Sequence, residues 1–214
     1  MKIKLFIIFI LFTAFFTLFS YTVAKEYWQK TDFDTMVKLQ DRIPKRYDSL
    51  FSYFSLLGSA EITIGFCIIL ALTAFFRRKW RSILGWFLIV PATLGEIFGK
   101  LIVYHPGPPA FFHRSILPTG LPSFYVHTNF SYPSGHMTRT VFIVTVISCI
   151  IFFSAKKTTS KALMFIPLIL LLAAMGLTRV YLGEHWLSDV LGGALLGAAT
   201  GFLASVLILE VKKG

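Results

Sequence analysis

Six long apolar runs, separated by short basic or polar segments, limit what this chain can fold into more than any other feature of it. They cover roughly residues 5–24, 54–76, 82–104, 134–154, 162–182 and 189–209. Each is close to the ~20 residues that a helix needs to cross the hydrocarbon core of a bilayer. None alternates with a period of two, as a barrel strand would, so helices are the expected form. With 56% hydrophobic and 14% charged residues and a mean hydropathy of +0.72, a soluble domain could not bury the apolar surface. The expectation is an all-α integral membrane bundle of six transmembrane helices, forming a single domain over residues 1–214, with a short interfacial helix after the first span. In the last run Gly193, Gly197 and Gly201 recur every four residues, beside Gly192. They predict a face that a second helix can approach closely.

The first run begins with Lys2 and Lys4 like a signal peptide, but it is about twice the length of such an apolar segment and five further runs follow it. It is read as a retained helix. Cys67 and Cys149 both lie inside apolar runs and predict no disulfide.

Orientation follows from the basic residues. Lys2, Lys4, Arg77, Arg78, Lys79, Arg81, Lys156, Lys157, Lys161, Lys212 and Lys213 fall in four short segments on one side, whereas seven are spread over the longer opposite loops. The denser side is expected to be cytoplasmic, which places both termini inside and the second set of loops outside. The net charge of +11 is thereby read as topology signal with some attraction to anionic lipid, and no nucleic-acid partner is called for.

Two outer segments remain. In 25–53, Thr31 and Asp34 resemble a capping pair, and Phe33, Met36, Leu39 and Ile43 recur at helical spacing before Pro44; a short helix lying in the interface is expected. Segment 105–133 holds six of the nine prolines together with His105, His113, Arg114 and His127, and reads as a stiff loop.

Reactive residue types gather at the ends of the later runs. Arg179 is followed by His185 and then Asp189. If the last part is helical, His185 and Asp189 share a face. The carboxylate then holds one imidazole nitrogen and leaves the other free to attack, while the arginine suits the oxygens of a phosphoryl group. Pro133-Ser134-Gly135-His136 adds a second histidine at the start of the fourth run. No Asp or Glu occurs between Glu96 and Glu184, although Lys100, Arg114, Arg139 and Arg179 lie at or within those limits. That imbalance favours an anionic ligand and disfavours a metallophosphatase, which needs carboxylates to hold its ions.

These residues resemble the type 2 phosphatidic acid phosphatase (PAP2) superfamily, in its membrane lipid phosphatase branch. Arg179, His185 and Asp189 meet the third motif of that family, with Thr178 where serine is commoner, and Pro133 to His136 meet the second. The first motif is met in part: Lys100 and Pro108 fit, but Gly107 stands where arginine is expected. The resemblance implies a metal-independent phosphatase without a cofactor, acting on a lipid phosphate or pyrophosphate of the undecaprenyl pyrophosphate, phosphatidylglycerol phosphate or phosphatidate class. It implies catalytic roles for His185 (nucleophile, forming a phosphohistidine), Asp189 (its orienting carboxylate) and His136 (acid, then base). Lys100, Ser134, Gly135 and Arg179 would bind the phosphate oxygens, with the first helical amides after Ser134 pointing at the anion. Glu96, one turn before Lys100, is expected to pair with it. For the place of the absent arginine, Arg114 is the first choice and His105, His113 and Arg139 remain open. A lipid phosphotransferase and a non-catalytic lipid-binding or transport protein are the alternative classes; membrane lipids are the only other partners expected, and the oligomeric state is left open.

Overall fold

A computed structural model describes residues 1–117, 130–154 and 157–210. Among these, all regular structure is helical. The helices are α1 (Lys2–Ala24), α2 (Gln29–Arg42), α3 (Asp48–Ser55), α4 (Ala60–Phe76), α5 (Trp80–Phe87), α6 (Ile89–Ile102), α7 (Gly135–Phe152), α8 (Thr158–Tyr181) and α9 (Leu187–Ile208). They supply six segments long and apolar enough to cross a membrane, with α3–α4 and α5–α6 each forming one of them. At about 1.5 Å per residue, α9 alone spans ~33 Å, enough for a bilayer core. Large side chains such as Ile3, Phe6, Phe76, Leu94, Phe98 and Leu170 stand exposed around the bundle, which suits a hydrocarbon surround.

α7 lies at the centre and packs chiefly on α9, which also carries α1. The glycines explain why α7 and α9 lie so close. A Cβ added at Gly193 would lie 2.5 Å from the Ser134 carbonyl, and one at Gly197 would lie 2.3 Å from the Thr138 carbonyl. Backbone meets backbone there, as the four-residue spacing predicts.

The structure corrects the sequence reading in local detail. The second span is interrupted: a 3-10 turn at Leu56–Gly58 separates α3 from α4, and Ser59 starts α4 as its N-cap, accepting from the Ile62 amide at 3.3 Å. The third breaks after Phe87. Pro91 lies four residues on, and its ring would meet the Phe87 carbonyl in an unbroken helix. The helix expected after the first span is present as α2, but Thr31 and Asp34 do not cap it. The helix starts three residues earlier, with Trp28 as the N-cap and its indole donating to Thr22 Oγ1 at 3.0 Å. Asp32 and Met36 face inward from α2.

The start of α1, the α4–α5 turn and the end of α9 gather at one face of the bundle. Lys79 pairs with Glu210 at 3.2 Å, and Lys2 lies near enough to Arg81 and Glu210 to feel both charges. The opposite face carries α2, the 103–117 loop, the start of α7, the end of α8 and the start of α9.

Candidate active site

α9 begins where α8 has turned back. Gly183 makes the turn with φ +70; a Cβ there would lie 2.2 Å from the Phe112 carbonyl, so both the backbone angle and the space call for glycine. The turn places Glu184 and His185 beneath the last turn of α8, each donating its amide to the Arg179 carbonyl at 3.3 Å.

His185 Nδ1 lies 3.2 Å from Asp189 Oδ2. The same oxygen accepts the Trp186 amide at 2.9 Å, so Asp189 satisfies an open amide at the start of α9 while it holds the imidazole. With Nδ1 bound to the carboxylate, Nε2 is the free nitrogen. Burial, chiefly, and then Lys100 and Arg179 hold His185 well below the usual histidine pKa. The ring is therefore neutral near pH 7, as a nitrogen nucleophile must be.

Ser134 is the N-cap of α7, and its amide donates to the Asp189 carbonyl at 3.0 Å. That bond ties the start of α7 to the start of α9. Its hydroxyl is buried without a hydrogen-bond partner among the described residues, as is Arg179 Nε. The first amides of α7 lack carbonyl partners within the helix by construction. His136, one residue in, packs against Gly58, where an added Cβ would approach the imidazole to 3.0 Å.

Arg139 and Arg179 are buried, Lys100 is half-buried, and all three are paired. Arg179 donates to the Ser55 hydroxyl and to the Glu184 carboxylate. Lys100 pairs with Glu96 Oε1 at 2.8 Å and Arg139 with Glu96 Oε2 at 2.6 Å, which fulfils the expected Glu96–Lys100 contact and adds Arg139 to it. A Cβ on Gly135 would lie 2.1 Å from Glu96 Oε1. The carboxylate therefore rests directly on the start of α7, and only glycine leaves room for it. Lys100, Arg139 and Arg179 all act electrostatically on both His136 and His185. Six of the candidates, Lys100, Ser134, Gly135, His136, Arg179 and His185, thus meet at one end of the bundle, with Asp189 behind His185.

Arg114 is not brought to this group. Its guanidinium donates to the Gln40 and Ile43 carbonyls at 3.0 and 3.3 Å and to the Tyr181 hydroxyl at 3.2 Å, and it lies over the Tyr181 ring at 5.1 Å. It closes the C-terminal end of α2, where free carbonyls attract a cation. His113 is exposed, and His127 lies outside the described residues. Of the four side chains considered for the arginine's place, Arg139 is the one inside the cationic group. Gly107 itself is exposed and in ordinary contact with Ser131.

Four polar groups of the site escaped the sequence reading: Ser55, Asp32, Ser188 and Glu184. Asp32 alone carried a signal. It lies four residues before Met36, on the apolar face of α2, where a carboxylate is out of place unless partnered. Its partner is Ser188, which donates its amide to Oδ1 at 2.8 Å and its hydroxyl to Oδ2 at 2.7 Å. Burial, against both of these bonds, pushes the Asp32 carboxyl up to about 6.

The chain is similar to known proteins over most of its length. The family model described as the PAP2 superfamily matches residues 95–213, a stretch that holds every residue of the cationic group. Phosphatidylglycerophosphatase B of Bacillus subtilis (strain 168) is 28% identical over 166 residues, 73% of each chain. Mouse glucose-6-phosphatase 3 is 29% identical over 178 residues, 78% of this chain but only 50% of its own length. Among solved structures, a transmembrane PAP2-type phosphatidylglycerolphosphate phosphatase from Bacillus subtilis superposes with a TM-score of 0.72 at 21% identity, covering 92% of this chain and 93% of that one. Aquifex aeolicus LpxE gives 0.54 at 25% identity, covering 81% and 94%.

Proposed function

Since this chain belongs to the PAP2 superfamily and is a membrane phosphatase of that type, we infer that it hydrolyses lipid phosphates or pyrophosphates through a phosphohistidine on His185. The observation that carries this reading is the free Nε2 of His185, with Nδ1 held by Asp189 at 3.2 Å, beside the buried cations Arg139 and Arg179 and the half-buried Lys100. Nε2 attacks phosphorus and the P–O bond to the lipid breaks. His136 gives the departing oxygen its proton. A water then attacks the phosphohistidine, His136 takes that water's proton, and the P–N bond breaks to release phosphate. Lys100, Arg139, Arg179, the Ser134 hydroxyl and the amides beginning at Gly135 receive the charge that spreads over the phosphoryl oxygens. Arg139 takes the role that Gly107 cannot fill, and Asp189 stays ionised to stabilise the imidazolium. Before substrate binds, the Glu184 carboxylate occupies Arg179 as an internal anion.

An apolar groove of about 740 Å³ supports a lipid substrate. It follows α7 from Met137, next to His136, down to Phe152, with Phe12, Leu172 and Leu191 among its walls. Of the candidate headgroups, phosphatidylglycerol phosphate is favoured by the Bacillus relative, which is named as a phosphatase for it; phosphatidate and undecaprenyl pyrophosphate complete the panel. Purified protein in detergent is expected to release inorganic phosphate from at least one of the three in the presence of EDTA. The site's carboxylates are already engaged by His185, by Ser188 and by Lys100 with Arg139, and these cations perform the electrostatic work. Orthovanadate, which takes the geometry of the transferring group, is expected to inhibit. Loss of activity on chelation that magnesium restores would refute the metal-free scheme. Phosphate appearing on an added alcohol instead of in solution would mark a transferase.

The active face is proposed to look out of the cell. The support is the collection of Lys2, Arg77, Arg78, Lys79 and Arg81 at the other face. Arg46 and Arg78 are exposed and serve as reporters of the two faces. Arg46→Cys is expected to react with an impermeant maleimide in intact cells, and Arg78→Cys only after lysis. Cys67 and Cys149 are buried and should stay silent. The opposite labelling pattern would invert the orientation.

A further inference from the structure

We propose that His105 is a positioning residue for phosphoryl transfer: its imidazole steadies the far oxygen of Asp189 and is itself held in place by Ser188 and by Asp32 on α2. The inference rests on the reading of His185 as nucleophile.

The geometry is continuous across three elements. His105 Nε2 lies 3.0 Å from Ser188 Oγ, 3.5 Å from Asp189 Oδ1 and 3.7 Å from Asp32 Oδ2. The Ser188 hydroxyl proton is already given to Asp32, so this oxygen can only accept from His105. That requirement sets the tautomer: the proton is on Nε2. The same N–H edge is turned toward Asp189 Oδ1, a buried oxygen with no hydrogen-bond partner of its own among the described residues. Oδ2 is fully used by His185 and the Trp186 amide. His105 is therefore a positive edge beside this buried oxygen, and the Ser131 hydroxyl is a second polar neighbour of the Asp189 carboxylate. His105, Asp32, Ser188 and Asp189 are all at most 5% exposed, and burial holds the His105 pKa below its usual value. A neutral, donating imidazole is the form that fits.

His105 thus has a different task from the phosphate contact for which its place near Gly107 suggested it. It sits behind the carboxylate, away from the phosphoryl oxygens. A carboxylate fixed at both oxygens keeps one orientation, and His185 inherits it. The chain Asp32–Ser188–His105–Asp189–His185 also makes α2 part of the frame that aims the nucleophile.

The test is a comparison of side chains that keep or lose the donor. Glutamine can place an N–H near the Nε2 position, whereas asparagine is too short and phenylalanine has none. His105→Phe and His105→Asn are expected to lower kcat by about 10- to 100-fold, the range in which partners that orient a ligating histidine act, with KM within about threefold. His105→Gln should recover most of the loss. In an Asp189→Asn background, His105→Phe should add less than about threefold, because it acts through the group already altered. A second readout is independent of turnover: the ¹⁵N resonance of His185 Nδ1 in the full-length protein should move in His105→Phe and stay near the wild-type position in His105→Gln. A kcat within twofold of wild type in both His105→Phe and His105→Asn would overturn the proposal. So would full additivity with Asp189→Asn, or a His185 resonance indifferent to His105. Wild-type turnover persisting in His185→Ala would instead remove the nucleophile assignment while the resonance still reports on the His105–Asp189 contact.

Discussion

Turnover by His185→Ala is expected to fall by ~10⁴-fold or more, because no other group can take the covalent step and members of such a unit fail together. Asp189→Asn should cost nearly as much. The amide that replaces the carboxylate cannot accept the Nδ1–H, the Trp186 amide and the approach of His105 as one anion does, so Nε2 loses both its tautomer and its aim. Rapid quench with phosphorus-labelled lipid should trap an acid-labile, base-stable adduct in the wild type and none in His185→Ala. His136→Ala should slow both formation and decay of that adduct, since one group serves both proton transfers. Substantial turnover in His185→Ala would sink the scheme.

The second large effect concerns stability. Glu96 is 5% exposed and Arg139 6%, and the carboxylate is shared between Arg139 and Lys100. Glu96→Ala leaves a buried guanidinium without its anion, a loss of ~3–5 kcal/mol. In detergent the unfolding midpoint in SDS should drop accordingly, and phosphate or vanadate should restore part of it by supplying another anion. Glu96→Ala combined with Arg139→Leu should unfold later than Glu96→Ala alone, because the orphaned charge is gone. An unchanged midpoint for Glu96→Ala would show that the pair contributes nothing net.

Much of the frame is legible in the sequence because the bilayer makes it so. A spanning segment must be long, apolar and internally bonded, and the six runs obey that rule with ends within a few residues of the helices, save where α3 extends the second. The His185–Asp189 bond and the Glu96–Lys100 pair are also legible, since both join residues four apart on one helical turn or its approach. What escaped depends on distance along the chain. Asp32 meets Ser188 across 156 positions, and Arg114 meets Gln40 across 74; no local pattern encodes either. Arg114 looked available because its loop is polar and close in sequence to Gly107, yet the free carbonyls at the end of α2 compete for its guanidinium. Glu61 is exposed in the first turn of α4, where the helix dipole favours a carboxylate. Asp32 shows the converse: a charge on an apolar face is a request for a partner that the sequence does not name.

The glycine contact between α7 and α9 acts as a mechanical gauge. The halves of the reaction centre ride on different helices: Ser134, Gly135 and His136 on one, Asp189 on the other, with His185 just before it. Where two helices touch through side chains, rotamer changes can absorb small slips. Here the carbonyls of Ser134 and Thr138 face Gly193 and Gly197 with no side chain between them, so nothing soft lies in the joint. A slip of one residue along either axis moves the two histidines by about 1.5 Å, several times the ~0.5 Å tolerance of a working catalytic geometry. Spacing between acid and nucleophile is therefore written into the backbone contact itself, and glycines one and two helical turns beyond Asp189 carry part of its precision.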